Sequence, residues 1–243
     1  MKISSLAAVI AVLGISGPMT SPVNAQSETI TDAAIQSFLD RKPEAIMAAM
    51  QRAQEKQQQG RLDQINATVS PIARSVIAGD KMVPVFGNPQ GTVNIVEFFD
   101  FNCGFCKKLS AETMDPLLAK NKNVRVSMVM TPILGPGSER MAQFFAAAFM
   151  QGRQLAAYSY LIKQRAGSVE EADKLIPGLI EFAGLNKAAF DKALKDNTAK
   201  AIVDHHSELS RKAGISGTPT LYFNGRTVPG AMPLDALENS IRS

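Results

Sequence analysis

The sequence predicts an α/β protein in which a helical segment comes first and a long helical stretch divides the strands of one sheet. β-Branched and aromatic residues at Val93–Phe99 predict a buried strand, and Val124–Met130 alternates as a second strand would. Helical spacing of apolar residues follows from about 138 to 213, where breaks near Gly152, Gly167 and Gly184 predict four or five helices. Two short strands, Thr220–Phe223 and Thr227–Pro229, then lie on either side of an Asn-Gly turn. A final helix is expected from about Leu234 to Arg242.

The N-terminus has the pattern of a secretory signal peptide. Lys2 precedes the apolar run Leu6–Ile15, and the small residues of Val23–Ala25 predict a cleavage site directly after them. A membrane anchor is the alternative, but the run is about half of the ~20 residues that span a bilayer. We therefore predict that residues 1–25 are removed and that the mature chain is exported to the periplasm.

The composition indicates a mixed-charge surface. The formal net charge is +4, but the 26 basic residues are spread among 22 acidic ones. Charges distributed in this way are typical of a solvated surface, so we predict no nucleic-acid partner. No later stretch is long and apolar enough to span a bilayer, and we expect the exported part to be soluble.

Residues 26–80 predict a helical appendage rich in Ala and Gln. We expect one short helix, a second that Pro43 opens, a weak point at residues 57–60, and a third helix that Pro71 kinks. Such narrow apolar stripes need a partner, either the main domain or another copy of the chain. Their apolar positions are Ile35, Phe38, Leu39, Ile46, Met47, Met50, Leu62, Ile65, Val69, Ile72 and Ile77.

The chain has only two cysteines, Cys103 and Cys106, and three positions separate them. A disulfide over so short a loop constrains little of the unfolded chain, so a chemical use is favoured over a structural one. The pair follows a strand and opens a helix expected at about 103–121. Unpaired N–H groups at the helix start favour a thiolate on Cys103, and Cys106 can attack a mixed disulfide there.

A carboxylate, Glu97, lies six residues before Cys103 in an otherwise apolar strand. Burying it is costly unless it has a function. Since burial raises the pKa of a carboxyl group, we predict that Glu97 exchanges a proton with Cys106 near neutrality. The alternative is an edge-strand carboxylate that faces water.

A proline at the entry to a strand is the third feature. In Gly217–Thr220, the bond before Pro219 is a candidate for the cis form. A cis bond would expose the backbone of Thr218 for pairing with an extended peptide. An ordinary trans turn is the alternative, and the sequence leaves both open.

Metal binding is the competing interpretation of the cysteines. A structural zinc site needs about four ligands, and only His205 and His206 remain, which point about 100° apart on a helix. Met128 and Met130 share one strand face and could suggest copper, but core packing is favoured because no His or Cys is near them in sequence. We predict no metal and no cofactor.

Together these motifs resemble the DsbA-like branch of the thioredoxin superfamily, and within it the ScsC and Com1-type proteins, which have an added N-terminal helical segment. The resemblance runs from about Val83 to the C-terminus. It rests on four stretches: Val96–Lys107, Pro132–Pro136, Gly214–Thr220 and Val228–Gly230.

The resemblance implies a domain organisation. Residues 1–25 are the signal peptide and residues 26–80 a helical oligomerisation segment. Residues 81–243 form a thioredoxin fold with a helical insertion at about 138–213.

The resemblance also implies roles. Strong oxidases of this group have a histidine where this chain has Phe105, so strong oxidising power is not expected. The residue before the proline is also closer to the isomerase or reductase pattern. The predicted site comprises the nucleophile Cys103, the resolving thiol Cys106, the proton acceptor Glu97, and Thr218, Pro219, Gly104 and Phe105 for substrate binding.

Three functions follow as hypotheses. The first is a disulfide isomerase or reductase whose N-terminal helices join protomers, as a trimer more than as a dimer. The second is a monomeric DsbA-like oxidase, and the third a copper-handling envelope protein. The expected partners are secreted or periplasmic cysteine-containing proteins and a membrane redox partner of DsbB or DsbD type.

Overall fold

The computed structural model describes residues 31–242, which fall into two compact units. The first unit reaches Ala53, and the second begins at Gln54. The predicted signal peptide, residues 1–25, lies outside the described residues. None of the helices within residues 31–242 is long and apolar enough to cross a membrane.

The first unit contains α1, Asp32–Arg41, and the start of α2, Pro43–Ile77. Thr31 caps α1, since its hydroxyl accepts a hydrogen bond from the Ala34 N–H at 3.3 Å. No residue of α1 is buried. The large apolar side chains exposed in this unit are Ile35, Phe38, Ile46, Met47 and Met50.

A single helix, α2, replaces the two helices and the weak point expected between residues 43 and 77. The helix continues through residues 57–60 and through Pro71. Gln, Lys and Arg are good helix formers, and a single Gly60 costs only about 1 kcal/mol relative to Ala. The weak point expected at 57–60 therefore does not divide this stretch into two helices.

The second unit is built on a five-stranded sheet in the order β1-β3-β2-β4-β5. Strands β2 and β3 are parallel, and the other neighbouring pairs are antiparallel. Strand β1 was not predicted, because alternation cannot be recognised over three residues. The strands are β1 Val85–Gly87, β2 Val93–Phe99, β3 Val124–Met130, β4 Thr220–Phe223 and β5 Arg226–Pro229.

Three helical pieces follow β2 where one helix at 103–121 was expected. They are α3 at Gly104–Leu109, a π-helical turn at Ser110–Met114, and α4 at Asp115–Lys120. Pro116 cannot donate a hydrogen bond to the carbonyl four residues before it, and the wider turn lies directly in front of this proline.

Six helices separate β3 from β4 in the described chain, where four or five were expected. Gly152 and Gly184 adopt positive φ values between them, as the predicted breaks required. The C-terminal helix, α11 at Leu234–Arg242, begins and ends where it was predicted. The six are α5 Pro136–Phe149, α6 Gln154–Leu161, α7 Val169–Asp173, α8 Ile176–Ala183, α9 Lys187–Lys195 and α10 Thr198–Lys212.

Each face of the sheet is covered by its own apolar cluster. Along β2, Ile95 and Phe99 belong to a larger cluster with the inserted helices, whereas Val96 and Phe98 belong to a smaller one. This division follows from the two-residue period of a strand, which sends Glu97 to the larger cluster. The predicted α/β architecture with inserted helices is therefore confirmed.

The end of α2 is part of the smaller cluster. Val69 and Ala73 are fully buried there and Val76 is almost so, against Val96 of the sheet and Leu209 of α10. The boundary expected near residue 80 therefore separates residues that share one core. The last turns of α2 stabilise the second unit by burying apolar surface.

Candidate redox active site

Cys103 lies at the point where the chain leaves β2 and enters α3. Its N–H donates to the Asp100 carbonyl at 3.1 Å, and its carbonyl accepts from the Lys107 N–H at 3.1 Å. Cys103 is thus the N-cap residue of α3. Its side chain is 6% exposed, which leaves the sulfur at the rim of the core.

Cys106 lies one turn further into the helix and is fully buried. The two cysteines are both free thiols in this structure. Burial, the negative charge of Glu97 and the neighbouring Cys103 raise the pKa of the Cys106 thiol far above its usual value. Cys106 therefore stays protonated until a base accepts its proton.

Glu97 is the residue predicted to accept that proton. It lies on the central strand β2, opposite Met128 on one side and Leu221 on the other, so the edge-strand alternative does not hold. Its side chain is fully buried, and neither carboxylate oxygen has a hydrogen-bond partner among the described residues. Burial, and then the charge of Asp115, raise the pKa of Glu97 to about 8. A carboxyl group with that pKa exchanges protons near neutral pH.

Two further groups couple to Glu97 that the sequence did not indicate. Burial and the charge of Glu97 raise the pKa of Tyr158 well above its ordinary value. A hydrogen bond with Ser110 acts in the opposite direction and lowers it. Asp115 is exposed, but partial desolvation raises its pKa, while the charge of Lys163 opposes this. Tyr158 and Asp115 lie on separate helices, and nothing in their spacing connects them to β2.

A hydrogen-bond network holds the loop in front of Cys103. Oδ1 of Asp100 accepts from the Asn102 N–H and from the Ser138 hydroxyl, both at 2.7 Å, and Oδ2 accepts from the Leu134 N–H at 3.0 Å. The Asn102 side chain donates to the Ala166 carbonyl at 2.7 Å and accepts from the Ala166 N–H at 3.0 Å. These bonds attach the cysteine loop to the inserted helices. Asp100 and Asn102 lie within the motif Val96–Lys107, but no role was predicted for either of them.

Thr218 and Pro219, which directly precede β4, lie against the cysteine site. The peptide bond between them is cis. The Cys103 thiol donates to the Thr218 carbonyl at 3.1 Å, although 115 positions separate the two residues. The structure thus brings together Cys103, Cys106, Glu97 and the Thr218–Pro219 loop.

A groove of about 430 Å³ opens beside the cysteines. Phe105 is 67% exposed at its edge, and a Cβ added to Gly104 would meet no atom within 4 Å. Both residues between the sulfurs therefore face outward. The segment at Gly230–Leu234 completes the groove, a contribution that the sequence did not indicate. Apolar groove residues are Phe105, Leu109, Met232, Pro233 and Leu234.

The residues considered as metal ligands have other contacts. His206 accepts from the Met130 N–H at 3.0 Å, and its other ring nitrogen lies 2.8 Å from the Met82 carbonyl. His205 pairs with Asp80 at 2.6 Å. Within residues 31–242 no three His, Cys, Asp or Glu side chains lie close enough to hold an ion together.

Residues 79–243 match the family model described as Thioredoxin, which is more than half of the chain. The chain belongs to the thioredoxin family. The fold expected from the resemblance, a thioredoxin fold with a helical insertion, is confirmed by this match together with the sheet order.

Two curated proteins show the range of relatives. The chain is 25% identical over 170 residues to Disulfide bond formation protein D of Bacillus subtilis, covering 65% of this chain and 75% of that protein. It is 27% identical over 173 residues to Na(+)/H(+) antiporter NhaA 1 of Salinispora arenicola, covering 68% of this chain. The chain spans only about a quarter of the antiporter, 26% of its length.

Among solved structures, a thioredoxin-like oxidoreductase from Silicibacter pomeroyi is 29% identical with a TM-score of 0.60. The match covers 70% of this chain and 98% of that one. Together with the relatives, this confirms the predicted resemblance to DsbA-like members of the thioredoxin superfamily.

Proposed function

We propose that the protein is an exported thiol-disulfide oxidoreductase, acting mainly as a disulfide isomerase or reductase on secreted proteins. The observation that carries this proposal is the buried Glu97, which has no hydrogen-bond partner among residues 31–242 and whose charge acts on Cys106, one turn after Cys103. A carboxylate buried without hydrogen bonds destabilises a fold, so a proton-transfer role accounts for its presence. The naming of the Bacillus relative for disulfide bond formation supports the same chemistry.

The reaction begins with the Cys103 thiolate. It attacks one sulfur of a substrate disulfide, an S–S bond forms between Cys103 and the substrate, and the other substrate sulfur leaves as a thiolate that takes a proton. Glu97 then accepts the Cys106 proton, and the Cys106 thiolate attacks Cys103. The substrate leaves reduced, and the two cysteines hold the disulfide.

The same intermediate allows isomerisation. A second substrate thiol can attack the mixed disulfide before Cys106 does, which returns Cys103 as a thiolate and leaves the substrate with a rearranged disulfide. Phe105 in place of a histidine removes a group that would stabilise the thiolate of a strong oxidant, which favours this use. A homo-oligomer through residues 26–80, a trimer more than a dimer, would supply several such sites to one substrate.

The setting of this reaction is also a proposal. The signal-peptide pattern of residues 1–25 supports export to the periplasm. There, a membrane partner of DsbB or DsbD type would restore the working redox state. The competing function is a DsbA-like oxidase, which the name of the Bacillus relative favours; in that case electrons flow from substrate thiols to the Cys103–Cys106 disulfide.

Two measurements separate these functions. Equilibration with glutathione gives the reduction potential, and reactivation of scrambled ribonuclease measures isomerisation, with Cys103→Ser as the inactive control. DsbA-type oxidases have a reduction potential of about −120 mV. We expect a less oxidising potential for this protein, together with clear reactivation of scrambled ribonuclease. A strongly oxidising potential without reactivation would assign the oxidase function, and no exchange with glutathione would contradict both.

A further inference from the structure

We propose that a small apolar pocket beside Thr218, with Ile65 of α2 as one wall, binds a side chain of the substrate polypeptide. The occupant is an aliphatic side chain within two residues of the cysteine that reacts with Cys103. This inference rests on the proposed thiol-disulfide exchange. It adds a role for the N-terminal helices in substrate recognition.

The pocket lies along the loop before β4 and has a volume of about 190 Å³. Its apolar walls are Ile65 and Ile215, both partly buried and packed against the smaller cluster, and Pro229. The space suits a single side chain and is too small for a helix or a folded surface. An extended polypeptide is the form of substrate that presents side chains one at a time.

The pocket is continuous with the cysteine site. Thr218 and Gly230 line both this pocket and the groove beside Phe105. The Thr218 carbonyl accepts a hydrogen bond from the Cys103 thiol at 3.1 Å. The Thr218 N–H donates to no backbone or side-chain group in the described part of the chain. A strand of substrate pairing with Thr218 would use that N–H. Its side chains alternate in direction, so those near the reacting cysteine can reach both recesses.

The residue after Ile65 fixes α2 at this place. The Asn66 amide donates to the Gly225 carbonyl at 3.1 Å, and its oxygen accepts from the Thr227 hydroxyl at 2.9 Å and from Ser70 at 3.2 Å. The first two bonds attach α2 to the turn and strand that follow β4. Ile65 is therefore held at the pocket rather than on a free helix.

Glycine-rich peptides test the subsite, each with one cysteine joined to glutathione by a disulfide. Leu replaces Gly in turn at the two positions before and the two positions after that cysteine. Full-length Cys106→Ala protein is mixed with each peptide, and mass spectrometry follows the adduct. The Cys103 sulfur bonds to the peptide sulfur, and glutathione leaves as its thiolate.

We expect Leu at one or more of these positions to speed adduct formation about tenfold over Gly, because an aliphatic side chain is removed from water. Adding Ile65→Thr should reduce the gain at one position to less than about twofold. Leu155→Thr changes an exposed aliphatic side chain on α6 in the same way and should leave every gain unchanged. If Ile65→Thr unfolds, Ile65→Val replaces it, with an intermediate gain expected.

Equal rates for the Leu and Gly peptides would overturn the subsite, provided that oxidised glutathione still reacts with Cys103. Absence of any adduct, even with glutathione, would instead contradict the proposed function. A Leu gain that survives the Ile65 variants would assign the preference to the groove and remove the role of Ile65. A gain that disappears as protein concentration rises would identify a second copy of the chain as the occupant.

Discussion

The sulfur of Cys103 lies 3.1 Å from the carbonyl oxygen of Thr218. Thr218 is joined to Pro219 by a cis peptide bond, and strand β4 begins directly after this proline. This contact places the reactive thiol against backbone that has an unpaired N–H in the described chain. We expect a substrate that pairs with this backbone to bring its own sulfur to Cys103, which would orient the attack.

The first prediction concerns the order of the two thiols. Replacing Cys106 with alanine should trap covalent adducts between Cys103 and disulfide substrates, because the thiol that resolves them is gone. Incubation with scrambled ribonuclease, followed by non-reducing electrophoresis and peptide mapping, measures this. Adducts should be absent from Cys103→Ala. Adducts attached elsewhere, or none at all, would contradict the assigned roles.

Glu97→Gln should slow the release of the mixed disulfide by Cys106 but not its formation at Cys103. The amide keeps the shape of the carboxyl group but cannot accept the Cys106 proton, so release of the mixed disulfide should slow about 10²-fold at neutral pH. Stopped-flow measurement of both steps from pH 6 to about 9 tests this. The wild type should show a rise in release rate centred near the Glu97 pKa of about 8, which the variant lacks. Identical profiles would return Glu97 to a structural role.

Glu97 should also make stability depend on pH. Its pKa is about 8 in the folded chain and 4.5 when unfolded, so the folded state holds an extra proton between these values. Stability therefore falls as pH rises from 4.5 to 8, by roughly 3–5 kcal/mol. Urea unfolding at about pH 5 and pH 9 should show this fall in the reduced wild type. Glu97→Gln removes the titrating group, and a fall of the same size in that variant would contradict the prediction.

Asn102→Ala should weaken both the fold and the placement of Cys103. The side chain makes two hydrogen bonds with the Ala166 backbone, and its loss leaves those groups unpaired at a cost of about 1–3 kcal/mol. Thermal unfolding measures the loss, and iodoacetamide alkylation reports any change at Cys103. Asn239→Ala, at an exposed position on α11, should stay within about 0.5 kcal/mol of wild type. Equal stability of the two variants would remove the role of Asn102.

The final prediction concerns self-association through the first unit. Ile35, Phe38 and Met47 are exposed at 45%, 47% and 70%, and burying them in a homo-oligomer would stabilise it. Removing residues 26–60 should leave a folded monomer that still reduces insulin but has lost most isomerase activity. The cut stops at residue 60 because Val69 and Ala73 belong to the core.

Light scattering coupled to size exclusion measures the oligomer, and ribonuclease reactivation measures the isomerase. A second variant that lacks residues 26–79 serves as the comparison. It also loses the core residues Val69 and Ala73, so we expect it to be unfolded. A full-length protein that is monomeric at micromolar concentration would favour the oxidase hypothesis.

The local features of the chain were readable from sequence. Strands β2 and β3 have the predicted bounds, because each is a seven-residue run, long enough for the β-branched and aromatic residues of β2 and the alternation of β3 to be recognised. The helix was not divided at the weak point expected at 57–60, because the helix propensity of the neighbouring residues outweighs a single glycine. The π-helical turn before Pro116 was not predicted. A local change from i→i+4 to i→i+5 hydrogen bonds does not produce a recognisable period in the apolar residues.

The sequence by itself determined the cysteine pair, its place after a strand, and the carboxylate within that strand, because these depend on neighbours within about ten positions. Only the tertiary structure decided that Glu97 has no partner in the described chain and that Thr218 meets Cys103. It also decided that Ile65 lines a pocket beside them. Residues 65, 103 and 218 come together through sheet order and the packing of α2. Those depend on burying one shared apolar surface, which no local pattern specifies.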